Sequence, residues 1–343
     1  MNKLVLLTSS ALVALCASFP ALADSATITQ TNETFGNASQ HQPGAIVGFQ
    51  TGDSATILQQ SGIGDTALQE QARFADGSDF AVNGIQSISQ ANNNTAFAAQ
   101  QDNSVFGGDN QSITQTNSAG TQASQTNNDE FTGNNVQASS QDQDSGSSVT
   151  QINGINLTNG ASGGQNSQTA MQNGQTNSSI SQTLDGASSF NTQVATQNYF
   201  GGGNTISALV ENGDNNHFTQ TQDSGASNDT ETASFNLSSG NVITQYQGVN
   251  SSGNMQSYTN VQSSGGAGMQ IQANGTTNST QTITQIGFGG DYANQAGQGQ
   301  AGNGNTETIS QTAGFGNNAI QNQGLNFGQP GYVYLNGGAL AHF

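Results

Sequence analysis

A short unit recurs along the chain: a large apolar residue, one further residue, then Gln. It stands at Ile28-Thr29-Gln30, Ile57-Leu58-Gln59, Ile88-Ser89-Gln90, Ile113-Thr114-Gln115, Val149-Thr150-Gln151 and Ile180-Ser181-Gln182. It continues at Phe218-Thr219-Gln220, Ile243-Thr244-Gln245, Ile283-Thr284-Gln285 and Ile309-Ser310-Gln311. Recurrence of this kind marks a stacked architecture and outranks any local motif. A second unit keeps step with six copies. Ten residues after Gln30, Gln59, Gln90, Gln115, Gln285 and Gln311 come Gln40, Gln69, Gln100, Gln125, Gln295 and Gln321. Ala38, Ala67, Ala98, Ala123, Ala293 and Ala319 each stand two residues before that second Gln. Shared composition does not place apolar residue, Gln, Ala and Gln jointly six times.

The physical reading is strand, turn, strand. Side chains alternate faces in an extended segment, so Ile28 and Gln30 point inward together and Thr29 points out. Ala38 and Gln40 likewise share a face. The Gly and Asn residues between them tolerate the positive φ of a tight arc. Facing strands then enclose Ile, Ala and both glutamines in a narrow interior, where a buried amide without partners is costly. Stacked copies of the same Gln remove that cost, each amide donating to one neighbour and accepting from the other. The expected fold is all-β: a repetitive β-solenoid, or cross-β stack, of strand-turn-strand repeats. The even spacing of Gln30, Gln40 and Gln50 leaves both a two-sided and a three-sided coil open. From about 153 to 279 the ten-residue pairing decays, with fragments at Ala170-Met171-Gln172 and Ala195-Thr196-Gln197. No linker divides the repeat region, 24–330.

Composition agrees. Charged residues are 7% of the chain, against roughly 25% in an ordinary soluble domain. The chain has 44 Gln, 42 Asn and 45 Gly among 343 residues, and hydrophobic residues reach 31%. That is too little apolar volume for a conventional core of this length, so a doubly wound enzyme or a helical bundle is a poor fit.

Residues Met1 to Ala23 read as a secretory signal peptide: Lys3, an apolar run from Leu4 to about Ser18, then Pro20 and an Ala21-Leu22-Ala23 cleavage site. The run is shorter than the ~20 residues a membrane anchor needs. Cleavage removes Cys16, the one cysteine, and Lys3, leaving Arg73 as the only Lys or Arg facing 21 acidic residues. Such a chain repels phosphates, which excludes nucleic acid as a partner. His41, His217 and His342 share no ligand spacing, so neither a metal site nor a cofactor is expected, and no constellation suggests an enzyme. Asp53, Asp65, Asp76, Asp109 and Asp291 lie beside Gly and read as solvated turn carboxylates. Their mutual repulsion predicts assembly that accelerates as pH falls toward about 4. The apolar tail, 331–343, reads as a capping strand or as a docking or export segment.

The order Ser25, Gln30, Gly36, Asn37, Ala38, Gln40, repeated as Ser54, Gln59, Gly64, Ala67, Gln69, resembles the repeat of the curlin family, the subunits of bacterial curli fibres. The inner glutamines here stand one residue closer than in curlins, and the repeats are longer and less uniform. The Fap-type functional amyloids are a second family with similar Gln/Asn-rich repeats and variable insertions. The resemblance implies a secreted, self-assembling amyloid subunit of an extracellular fibre serving biofilm, adhesion and surface attachment. It also implies export through a dedicated outer-membrane channel, with a chaperone and a nucleator as partners. The alternative is a monomeric secreted β-solenoid, an adhesin or an ice binder, displaying outward Thr.

Overall fold

The computed structural model describes residues 25–41, 54–71, 80–81, 84–102, 106–107, 109–128, 134–155, 165–185, 189–262, 264–287, 294–312, 316–336 and 339–342. The expected signal peptide with Lys3 and Cys16, and also Arg73, Asp53, Asp76, Asp291, Ala293 and Phe343, lie outside the described residues.

The chain winds as a two-sided β-solenoid, and no helix occurs among the described residues. Successive strands alternate between two parallel sheets. The first sheet has twelve strands: Ser25–Thr31, Ser54–Gln60, Ile85–Ala91, Asn110–Thr116, Val136–Asp142, Ser167–Asn173, Thr192–Gln197, His217–Gln222, Val242–Gln247, Ala267–Gln272, Gln295–Gln300 and Asn318–Gln323. The second has eleven: Asn37–His41, Thr66–Gln71, Phe97–Asp102, Gln122–Asn127, Ser148–Ile155, Ser179–Asp185, Thr205–Glu211, Thr230–Asn236, Met255–Val261, Thr280–Ile286 and Thr306–Thr312. A strand of the first sheet and the strand that follows it in the second make one rung, numbered here from the N-terminus. At ~4.8 Å per strand the stack is about 50 Å long.

Every strand pairs in register with the one a full turn away, as Ser25↔Ser54 through Thr31↔Gln60 illustrates. The alternating burial of strands such as Ile85–Ala91 follows directly from the pleat. The arcs repeat too. Asn32, Ser61, Asn92, Asn117 and Gln143 stack at one position with φ between 51° and 58°. Three residues further on, Phe35, Gly64, Thr95 and Gly120 also have positive φ. Two left-handed residues at constant offsets turn the chain through each arc, which is why Gly and Asn recur there.

The interior is thin. One apolar cluster joins Ile57, Ile88 and Ile113 to Ala67, Ala98 and Ala123. A second joins Val149, Ile180 and Ile206 to Ala170 and Ala195. A third runs from Leu184 and Val210 through Phe218, Phe235, Ile243 and Tyr258 to Ile283 and Ile309. In the first two clusters large side chains on one sheet meet small ones on the other, which lets two flat sheets approach closely. Strands continue without a break of architecture through 153–279, where the ten-residue spacing is lost.

Candidate functional site

The candidate site is the set of amide columns that run along the axis and the two ends where they stop. In the first sheet, the last inward position of every rung is Gln. Gln30 Nε2 donates to Gln59 Oε1 at 2.6 Å and Gln59 Nε2 to Gln90 Oε1 at 2.8 Å. The series continues at 2.8 to 3.4 Å through Gln115, Gln141, Gln172, Gln197, Gln222, Gln247 and Gln272 to Gln300. Gln323 stands next in register. A net ~1 kcal/mol per bond is modest, but a member left without its neighbour incurs a desolvation cost of about 1–3 kcal/mol. The column therefore specifies register more than it adds stability.

Other columns are shorter. In the second sheet Gln40, Gln69, Gln100, Gln125, Gln151 and Gln182 form a ladder with bonds of 2.7 to 2.9 Å. It ends where Ala208 stands next to Gln182. In the first sheet Gln86, Gln111, Gln137, Gln168 and Gln193 form another. A fourth starts at Gln220 and runs through Gln245, Gln270 and Gln298 to Gln321. All donate in one direction, Nε2 toward the C-terminal end. A ladder that starts inside the stack thus begins with an orphaned acceptor, and Gln86 Oε1 and Gln220 Oε1 are buried without a donor among the described residues. The stack consequently has polar ends: Gln30 and Gln40 present acceptors at the N-terminal end, and Gln321 and Gln323 present amide donors at the other.

Each ladder residue named from the sequence can be placed except Ala293, which lies outside the described residues. Ile28, Ile57, Ile88 and Ile113 form one column of the first sheet, beside Gln30, Gln59, Gln90 and Gln115. Ala38, Ala67, Ala98 and Ala123 stack in the second sheet, beside Gln40, Gln69, Gln100 and Gln125. Ile283 with Gln285, and Ile309 with Gln311, belong to the second sheet instead. Ala319 and Gln321 lie on the following strand of the first sheet. The unit has moved by half a turn. Gln295 does not join a ladder: it is half-buried, opposite Asn318, while Ala296 and Gln298 hold the inward columns. The connection there is three residues longer than the ten-residue spacing allows. The repeat does not reveal the ladder from Gln86 to Gln193, nor Gln141, Gln222, Gln247, Gln272 and Gln300 of the column that starts at Gln30. Their signal is Gln at i and i+4 within one strand, as in Gln86/Gln90 and Gln137/Gln141, which an extended chain puts on one face.

The turn carboxylates depart from expectation. Asp65 and Asp109 are buried, and each accepts the backbone N–H of the next rung, from Ala96 at 3.0 Å and Asn135 at 2.8 Å. Asp144 and Asp229 accept from Gln175 at 2.7 Å and Asn254 at 2.8 Å in the same way. Glu231 and Glu307 point into the interior. With no Lys or Arg among the described residues to balance them, burial raises Asp65 to about 6, Asp144 to about 7 and Glu307 to about 8. Burial also lifts fully enclosed Glu231 well above the ordinary carboxyl range, and Asp229 beside it adds to the rise. The protonation window of the stack therefore sits above the pH of about 4 expected from solvated carboxylates.

The two ends differ. At the N-terminal end Ile28 is 40% exposed where Ile57, one rung in, is 0% exposed, because nothing among the described residues covers the first rung. At the other end the tail forms an antiparallel hairpin, Val333–Asn336 with Ala339–His342. It does not stack as a final rung. It lies on the outer face of the first sheet, where a Cβ on Gly297 would stand 2.5 Å from Val333 Cγ1. Asn322 fastens it, Oδ1 accepting from Val333 N at 2.8 Å and Nδ2 donating to Val333 O at 2.7 Å. Among the described residues, the edges of Asn318–Gln323 and Thr306–Thr312 stay open, as do Ser25–Thr31 and Asn37–His41. No protein-family model and no curated protein sequence matches the chain.

Proposed function

We propose that this chain is a secreted structural subunit that self-assembles into an extracellular, curli-like amyloid fibre serving biofilm, adhesion and surface attachment. The observation that carries the reading is the pair of open ends, where both sheets stop on unpaired strands and amide ladders run out to the last rung. An unprotected parallel edge is a template for another chain. Neither Lys nor Pro stands in the described strands to blunt it. The directed amides add a polarity to growth. Export through an outer-membrane channel, with a chaperone and a nucleator, belongs to the same proposal and rests on the resemblance to curlins. The test is quiescent incubation of residues 24–343 followed by negative-stain microscopy and fibre diffraction. Fibres with a ~4.7 Å meridional reflection are expected. A β-rich monomer that stays soluble for weeks refutes the proposal.

One observation favours a monomeric ice binder or adhesin. Ser124, Thr150, Ser181, Ser207, Thr232, Ser257, Thr282 and Thr308 form an unbroken hydroxyl column on the outer face of the second sheet. Thermal hysteresis of the soluble chain, measured beside the incubation, decides for that reading. The open ends weigh against it, since a solenoid that works alone needs them closed.

A further inference from the structure

Among the described residues the number of strands in the stack is odd, twelve in one sheet and eleven in the other. At the C-terminal end the first sheet finishes on Asn318–Gln323. The second finishes one level lower on Thr306–Thr312. Beyond Gln323 the chain passes to the outer face of the first sheet and supplies no strand for the empty level. A strand that fills it must match Thr306-Glu307-Thr308-Ile309-Ser310-Gln311-Thr312, whose inward residues are Glu307, Ile309 and Gln311.

The chain itself carries such a strand at its other end. Ser25-Ala26-Thr27-Ile28-Thr29-Gln30-Thr31 has the same seven residues of length. Four positions are identical and two exchange Ser for Thr. The arcs have the same length, Gln30 to Ala38 and Gln311 to Ala319 both spanning eight residues, and each carries Phe-Gly-Asn, one position earlier in the second. The strands after the arcs begin Asn37-Ala38-Ser39-Gln40 and Asn318-Ala319-Ile320-Gln321.

We propose that copies join by a half-turn: the second copy is rotated half a turn about the long axis, and its Ser25–Thr31 extends the second sheet of the first copy beside Thr306–Thr312. The proposal rests on the self-assembly reading and specifies its joint. Ile28 then lies on Ile309 and Ala38 on Ala319. Gln311 Nε2 faces Gln30 Oε1, and Gln321 Nε2 faces Gln40 Oε1, so two ladders continue with the donor direction seen throughout the stack. The joint without rotation sets Ser25–Thr31 on Asn318–Gln323. It places Ile28 against the Gln321 amide and leaves a gap one strand wide, ~4.8 Å, in the second sheet. The half-turn joint also gives a reason for the displacement of the Ile-x-Gln unit. That unit lies in the first sheet at Ile28 and in the second at Ile309, which is the phase an odd number of strands requires for each copy to meet the next in register.

Cysteine cross-linking tests the joint, because the expected mature chain has no thiol of its own. Thr27 and Thr308 are exposed outward positions that the half-turn joint makes neighbours; Ser25 and Asn318, also exposed, are neighbours only without rotation. Fibres are grown from equal mixtures of Thr27→Cys and Thr308→Cys chains, and separately of Ser25→Cys and Asn318→Cys chains, then treated with a thiol cross-linker of ~5 Å reach. Covalent dimers in the first mixture and a background level in the second are the expected result. Dimers in the second mixture, alone or with the first, overturn the half-turn joint. Fibres seen by microscopy without dimers in either mixture also overturn it, while leaving self-assembly standing. Absence of fibres from the unsubstituted chain overturns the self-assembly reading on which the joint depends.

Discussion

The ladders make an ordering prediction for two substitutions of the same kind in one column. Gln245 accepts from Gln220 Nε2 at 2.7 Å and donates to Gln270 Oε1 at 2.8 Å. Gln245→Leu leaves Gln270 Oε1 buried with no donor and one Nε2 N–H of Gln220 with no acceptor, which adds two orphaned groups to the interior. Gln220 stands at the start of the column, and its own Oε1 is already without a partner. Gln220→Leu orphans Gln245 Oε1 but abolishes the orphan at 220, so the number does not change. Both side chains are buried and both variants gain similar apolar transfer energy. The difference between them is therefore close to the cost of one unsatisfied acceptor and one unsatisfied N–H, about 1–3 kcal/mol each. Native-state hydrogen exchange of Val242–Gln247 and Ala267–Gln272 in the soluble chain reads this directly. The Gln245→Leu chain is expected to exchange roughly 30-fold or more faster there than Gln220→Leu. Equal exchange, or faster exchange in Gln220→Leu, refutes the ladder argument and reduces the columns to a packing pattern.

Stability of the solenoid is expected to fall as pH rises through about 6 to 8, because Asp65, Asp144 and Glu307 have folded values raised to about 6, 7 and 8. Their contribution is complete below the ordinary carboxyl range; Glu307→Gln with Asp144→Asn should flatten urea midpoints measured from pH 5 to 9, and a profile rising with pH contradicts the burial argument. Ile113→Ala opens a cavity against Ala98 and Ala123 and should cost about 2–5 kcal/mol, whereas outward Ser89→Ala should stay within ~0.5 kcal/mol. Similar denaturation midpoints for the two would mean that inside and outside are misassigned. Gly297→Val places a Cβ 2.5 Å from Val333 Cγ1 and 2.9 Å from Leu340 Cδ2. Exchange should rise in Val333–Asn336 and Ala339–His342 but not in Thr306–Thr312, and protection lost in both would make the hairpin part of the stack.

The all-β stacked architecture was readable from period alone, and the first four rungs follow it position by position. Ile28 with Gln30 and Ala38 with Gln40 face inward because a strand alternates faces, and that rule needs no tertiary information. Three things did not follow. Whether the coil had two sides or three depended on where the chain goes after Gln40, and those residues carry no repeat. The depth of Asp65 and Asp144 was hidden because a carboxylate beside Gly reads as a turn residue whether or not another rung covers it. The middle rungs were hidden by the use of spacing between Gln residues as the search key. Val149 and Ile180 carry the same Ile-x-Gln type of unit as Ile113, yet they stand in the other sheet.

A stack constrains columns, not sequence positions, and this explains both the regularity and its apparent loss. Inward columns favour residues that agree with their neighbours along the axis, amide on amide or apolar on apolar, with exceptions where Gln193 meets Phe218 and Ile206 meets Glu231. Across the interior of the first two clusters, a large residue faces a small one. Both conditions allow the large residue and the Gln to change sheets, provided small residues stand at the changeover. In the column that starts with Ile28 the order is four Ile, then Ser139, Ala170 and Ala195, then Gln220 and its successors. In the second sheet the column of Gln40 ends at Gln182 and passes through Ala208 and Ala233 before Tyr258, Ile283 and Ile309. The two changes occur at the same rungs, with Ala195 and Ala208 both present at the crossing. The stretch that breaks the sequence repeat is therefore the stretch that moves the repeat from one face of the coil to the other.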